Sequence, residues 1–403
     1  ALLWIGGGKN DATPPGIWDK ELIVCAALAQ EIGAIVASVY TIPNQPMVYY
    51  EEPSGRGRSE DAMIAWAWAH YIRDPSNPEW LPRLPMTKAS IRAMDAVTEF
   101  WSIKSGPTLA KWVVAGASKR GWTTWTVGAC DPKRVIGIIP MVLDELDFVS
   151  NIKHHFRAYG GWSFALDDYY KVNFTANLDH PNVAKMMSIV DPINYVDILT
   201  MPKLILSTAG DEFLLPDNND WYWSKLQGEK HFHSFPNLEH TMFEDIPNVI
   251  ETARGFVLHL LSNTPRPSYV WNKTDNGTIV LEIDANNPPS KVQLYTAYTI
   301  DGNDRRDFRL VAIMNKTTGA PFLHPVFWKP TDLAPTSTTP SLITYEAYVD
   351  PPTTGWVGFV IVCQFPVPGS TNATFRMSTA QSILPQTYPF PECYGEDCYG
   401  TLV

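Results

Sequence analysis

The stretch Val113-Val114-Ala115-Gly116-Ala117-Ser118-Lys119-Arg120-Gly121-Trp122 decides how the chain is read. An apolar run ends in Gly-x-Ser-x-x-Gly and passes into helical periodicity. That is the pattern of a strand, a sharp turn presenting a serine, and a helix packed back on the strand. The second glycine is one place late: Arg120 stands where a small residue is usual, so the turn must be built differently.

Outward from this turn, strand and helix signals alternate. Apolar runs at Leu2–Ile5, Ile35–Tyr40, Lys111–Ala117, Val135–Leu143, Lys203–Thr208 and Lys230–Phe235 read as strands. Helical spacing is expected over Trp18–Ile32, Ser59–Tyr71 with Ser59 as N-cap, Thr87–Trp101, Lys119–Ala129, Asn219–Leu226 and Phe243–Leu261. Alternation of this kind predicts a mostly parallel sheet covered on both faces. The aromatic segment 146–200 has no clean period and is expected to be a cap insertion above the sheet. Past the linker Thr264-Pro265-Arg266-Pro267, short alternating runs predict a small β-sandwich. The expected division is 1–263 and 264–403. The chain opens on an apolar run closed by Gly6-Gly7-Gly8, which suggests that an N-terminal part is missing.

In parallel sheets, function collects at the carboxyl ends of strands. Three such ends carry Ser118, Asp211 and His240, the chain order of nucleophile, acid and base in α/β-hydrolases. In that arrangement His240 takes the Ser118 proton and Asp211 orients the imidazole. The oxyanion donors are expected to be the backbone N–H of Lys119 and one from Thr41 or Ile42, after the second strand. Asp144, also at a strand end, is the alternative acid. Arg120 and the adjacent Glu51 and Glu52 are candidate substrate-binding charges, an anionic group for the first and an ammonium for the pair; each also reads as an ordinary solvated residue. His154 and His155 lack metal-ligand spacing, and no metal or cofactor is expected.

Composition narrows the setting. The 403 residues are 45% hydrophobic with a net charge of −11, which argues for a large core and against a nucleic-acid partner. No apolar run approaches membrane-spanning length. Of five cysteines, Cys393 and Cys398 are placed to close a small disulfide loop, while Cys25, Cys130 and Cys363 read as buried thiols. N-x-Ser/Thr glycosylation sequons stand at Asn173, Asn272, Asn276, Asn315 and Asn372. Together these point to a secreted, extracellular protein.

Several motifs resemble those of the PhoPQ-activated pathogenicity-related proteins. They are Gly116–Trp125, Val39–Pro46, Arg58-Ser59-Glu60-Asp61, Leu84–Lys88, Met201–Leu204 with Gly210–Phe213, and Asp304–Arg309 with Gly355-Trp356. The nucleophile turn is more loosely similar to that of glucuronoyl esterases, where a basic residue follows the serine. The family resemblance implies an α/β-hydrolase domain with a C-terminal β-domain, and secretion; Ser118, Asp211 and His240 occupy its motif positions. Two functions are therefore expected. One is a secreted serine hydrolase, peptidase or esterase, acting on a small-molecule or peptide substrate. The other is a signalling protein on the same scaffold, with a cell-surface receptor as partner.

Overall fold

The computed structural model describes residues 1–10, 13–300, 304–312, 322–370 and 372–403. Six strands form one parallel sheet: β1 (Leu2–Ile5), β2 (Val36–Val39), β3 (Trp112–Ala117), β4 (Val135–Met141), β5 (Lys203–Thr208) and β6 (Lys230–Phe235). Their order is β2-β1-β3-β4-β5-β6, so β3 lies in the interior with β1 and β4 beside it. Helices α1 (Lys20–Ile32), α2 (Glu60–Arg73), α3 (Arg83–Ile103) and α4 (Lys119–Cys130) connect the strands, with α7 (Ile246–Leu261) following β6. This is an α/β-hydrolase architecture. Ser59 sits at the start of α2 but makes no capping hydrogen bond. The helix expected at Asn219–Leu226 is two short 3-10 turns.

The segment between β4 and β5 is helical, led by α5 (Phe148–Tyr159) and α6 (Pro181–Val190). Its period was hidden because α5 buries polar as well as apolar side chains: Asn151, Lys153, His154 and His155 are all inside. The C-terminal tail covers that face: Lys153 Nζ lies 3.7 Å from Glu392 and over the Tyr394 ring, and His154 meets Tyr388 edge-on. Trp162 Nε1 donates to the Cys398 carbonyl (2.9 Å), and Val403 N donates to Trp162 O (2.8 Å). A disulfide joins Cys393 to Cys398; Cys25 and Cys363 are buried thiols, whereas Cys130, at the end of α4, is exposed.

Two antiparallel sheets follow α7. One runs β11-β12-β8-β7, from β7 (Tyr269–Lys273), β8 (Ile279–Asp284), β11 (Ser337–Thr338) and β12 (Leu342–Ala347). The other is β10-β9-β13-β14, from β9 (Lys291–Tyr298), β10 (Lys329–Asp332), β13 (Val357–Pro366) and β14 (Thr374–Ser378), with β15 (Ser382–Leu384) also on β13. Between these sheets' strands, Val311–Ala312 forms a short ladder with Phe322–Leu323. The apolar cluster on the α1/α7 face of the parallel sheet continues into the sandwich, from Leu204 and Phe256 to Leu281, Ile361 and Phe375. Burial at roughly 25 cal/mol per Å² of apolar surface makes that shared core a strong tie between the two layers.

The late glycine of the serine turn has a packing reason. A Cβ on Gly121 would stand 2.6 Å from Met141 O and 3.1 Å from Leu143 Cβ; one on Gly116 would stand 2.8 Å from Arg120 O. The first turn of α4 is thus pressed onto β3 and the end of β4 through glycine at 116 and 121. Gly121→Ala should lower stability by about 2 kcal/mol in urea unfolding, the usual cost of overpacking against backbone.

Candidate active site

Ser118 ends β3 with φ 56° and ψ −124°, a left-handed conformation that costs a non-glycine residue on the order of 1–3 kcal/mol. The turn is held by Ser118 N donating to Met141 O (2.9 Å) and by Trp122 N donating to Ser118 O (3.0 Å). It projects Oγ out of the sheet, 2.8 Å from His240 Nε2. His240 Nδ1 lies 2.8 and 3.0 Å from the two Asp211 oxygens. An ionised Asp211 keeps the imidazole proton on Nδ1, so Nε2 accepts from the Ser118 hydroxyl. Asp211 is 2% exposed, and Phe213 N (2.7 Å) and Leu214 N (3.1 Å) donate to its Oδ1. The structure therefore joins Ser118, His240 and Asp211 in one hydrogen-bonded chain. Burial pulls the His240 imidazole down, but the Asp211 charge and hydrogen bond, with the Glu212 charge, outweigh it and hold it above its ordinary value.

Asp144 does not take the acid's place. His240 pairs with Asp211, and Asp144 is buried without a charged partner; burial first, and then the Asp211 charge, push its carboxyl up to about 7. Lys119 opens α4, so its backbone N–H has no carbonyl one turn earlier in the helix and remains available beside Ser118. Thr41 and Ile42 are not available: their N–H groups donate to Gly7 O (2.7 Å) and Gly6 O (3.1 Å). The strand next to β3 is β1, not β2, so the neighbouring loop is Gly6-Gly7-Gly8. Gly8 has φ 118°, and no described residue accepts its N–H. The run of three glycines was the visible signal for this loop; strand order, which sequence does not carry, was what assigned it.

The candidate substrate charges lie elsewhere. Arg120 is buried and committed, with its guanidinium paired to both Glu60 oxygens (2.7 and 2.8 Å) and its Nε donating to Ile42 O. Glu52 is paired with Arg58 (2.7 Å) and Glu51 with His70 (2.7 Å), and neither lines the Ser118 cavity. Four sequon asparagines, 173, 272, 276 and 372, are exposed; Asn315 lies outside the described residues.

A cavity of about 50 Å³ opens beside Ser118 and His240, walled by Trp68, Trp122, Phe148, Tyr169, Phe213 and other apolar groups, with Asp61, Arg83, Lys119 and Glu145 as its other ionisable groups. Lys119 Nζ is 2.6 Å from Asp61 Oδ2 and 3.3 Å from Glu60, and Tyr169 OH donates to Asp61 (3.1 Å). Arg83, 2% exposed, donates to Lys119 O (2.9 Å) and stacks over Trp122. Asp61, Arg83 and Tyr169 had no assigned role in the sequence reading because each comes from a different helix. No helix among the described residues is long and apolar enough to cross a membrane.

Residues 1–309 match the family of PhoPQ-activated pathogenicity-related protein. The chain belongs to that family. It is 37% identical over 405 residues to autocrine proliferation repressor protein A of Dictyostelium discoideum, covering 97% of this chain and 79% of that one. Among solved structures it resembles Est1E from Butyrivibrio proteoclasticus at 13% identity and TM-score 0.37, over 65% of this chain and 88% of that one. It also resembles an acetyl xylan esterase from Paenibacillus sp. R4 at 15% identity and TM-score 0.40, over 62% and 73%. Likeness that slight says nothing of substrate.

The Glu60–Arg120 pair clamps the turn to α2. Burial opposes ionisation of Glu60, but the Arg120 hydrogen bonds and charge, then Lys119, hold its carboxyl at about 2. Glu60→Gln should cost about 2 kcal/mol in urea unfolding near pH 6, less than a fully buried pair because the Glu60 side chain is 41% exposed. The group's pKa is depressed in the fold. Its contribution is thus complete above the ordinary glutamate value and fades as pH falls toward 2, so the two proteins should converge in stability at low pH.

Proposed function

We propose that the protein is a secreted serine hydrolase that cleaves an ester or peptide bond through an acyl-enzyme. The observation that carries this reading is the continuous hydrogen-bonded chain from Ser118 Oγ through His240 to Asp211. Ser118 Oγ attacks the substrate carbonyl carbon while His240 Nε2 takes its proton. Asp211 stays ionised and steadies the imidazolium. The carbonyl oxygen gathers negative charge between the backbone N–H groups of Lys119 and Gly8. Collapse breaks the bond to the leaving group, which receives the proton from His240. Water then adds to the acyl carbon, giving its proton to His240, and the Ser118–acyl bond breaks as His240 returns that proton to Oγ, regenerating the serine.

The aromatic lining favours an apolar or aromatic acyl group over a highly charged one. The exposed sequons and the disulfide support an extracellular setting. A second reading rests on the 37% identity to a protein named as a proliferation repressor: this chain acts on cells as an extracellular signal through a surface receptor. The two roles are separable by one substitution.

Ser118→Ala should abolish hydrolysis of a panel of chromogenic esters and peptide anilides, and Asp211→Asn should lower kcat by about 10⁴. Wild-type kcat/KM should rise with pH through an acid limb above 6.5, because His240 must be neutral and its imidazole is held above the ordinary value. A limb below that value would contradict the assignment. A growth effect on cells that survives Ser118→Ala would assign signalling to the surface rather than to the chemistry.

A further inference from the structure

His240 and Asp211 leave the sheet at its open side. β6 is the last strand in the order, and β5 is its only neighbour in that sheet. A loop leaving an edge strand lacks a second strand to fix it, yet the site needs His240 placed to a few tenths of an ångström. The C-terminal layer occupies the missing position. Ser378 Oγ, at the end of β14, accepts from Ser234 N of β6 (2.9 Å). Higher up, the Asn237 side chain makes a reciprocal pair with the backbone of Trp328: Nδ2 donates to Trp328 O (2.9 Å), and Trp328 N donates to Oδ1 (2.8 Å). Asn237 lies three residues before His240.

The acid loop is gripped from the same side. Leu310 N donates to Gly210 O (2.9 Å), and Gly210 N donates to Leu238 O in the base loop (3.1 Å). The fit is close. A Cβ on Gly210 would stand 2.5 Å from Leu310 Cγ and 2.9 Å from Leu238 O. Both gripping residues are anchored: Trp328 is 1% exposed against Phe308, and the Asp307–Arg309 pair (2.6 Å) is buried beside Leu310. Arg309 reaches on to Ser163 Oγ (3.2 Å) and Val403 O (3.0 Å), which ties the grip to the cap and the tail.

We propose that the C-terminal β-layer is a working part of the catalytic site, setting the relative positions of Asp211 and His240 through Gly210 and Asn237, with Asn237 a positioning residue for His240. This rests on the hydrolase reading for its consequence in turnover, but not for its geometry. Asn237 suits a test because it is exposed, so truncation leaves no buried void. The groups that face His240 and set its charge are Asp211, Glu212 and Lys119.

The experiment compares wild type with Asn237→Ala and Asn237→Asp; the latter keeps the acceptor for Trp328 N and loses the donor. His240 is titrated by NMR, which needs no substrate, and kcat and KM are measured on the best ester of the panel. In Asn237→Ala, a loosened Asp211 contact should lower the His240 pKa, and kcat should fall about tenfold with KM held within about twofold. Asn237→Asp should fall between. A purely structural bond would alter unfolding without moving the titration. Folded Asn237→Ala and Asn237→Asp with His240 titrating as in wild type and kcat within about twofold would overturn the proposal. If wild type hydrolyses nothing, the hydrolase reading falls and the titration alone decides: a lowered pKa supports the grip, and an unmoved one removes it.

Discussion

Ser118 sits in a backbone conformation that a serine adopts only under constraint, and the molecule is arranged to impose it. The strand ends where β4 turns away, Gly116 and Gly121 remove the side chains that would hold α4 off the sheet, and Arg120 is drawn outward to Glu60 and the Ile42 carbonyl. The usual small residue at position 120 is unnecessary because Gly116 makes room for the Arg120 stem. The half-buried Arg120–Glu60 ion pair adds what a tight glycine turn alone lacks: a fixed link between the turn and α2. Through Lys119 and Asp61 the same link reaches the cavity wall.

Charge around the site is strongly graded. Four carboxyls, Asp144, Glu145, Asp211 and Glu212, crowd the ends of β4 and β5, and of these Asp211 alone pairs with the His240 ring while accepting from two backbone N–H groups, those of Phe213 and Leu214. Burial and mutual repulsion push the others up, Asp144 and Glu212 each to about 7. Asp211 is the one of the four that contacts His240 Nδ1, which is what orienting the imidazole requires.

Much of this was legible in sequence because strand, turn and helix signals are local. The β3 turn, β5 and β6 were read almost to the residue, and their strand ends carried Ser118, Asp211 and His240. What was misread depends on contacts between distant segments. An oxyanion donor was expected from Thr41 or Ile42, in the loop after β2; in the sheet β1 lies between β2 and β3, and both N–H groups are spent on the Gly6–Gly7 backbone. The cap showed no period because the C-terminal tail covers the polar side of α5, which a solvated helix would leave bare. Glu51, Glu52 and Arg120 looked free because their partners, His70, Arg58 and Glu60, lie on other turns or elements. Cys130 looked buried because it closes a helix that carries Trp122, Trp125 and Val127; the helix is buried from Arg120 to Gly128, and Cys130 lies where the chain emerges.

The central claim is that Ser118 is the nucleophile, activated by His240. The direct measurement is peptide mapping by mass spectrometry after exposure to a fluorophosphonate. A single adduct on Ser118, lost in His240→Ala although the serine remains, is the predicted result. A folded wild-type protein that takes up no label, or labels at a residue other than Ser118, would contradict it.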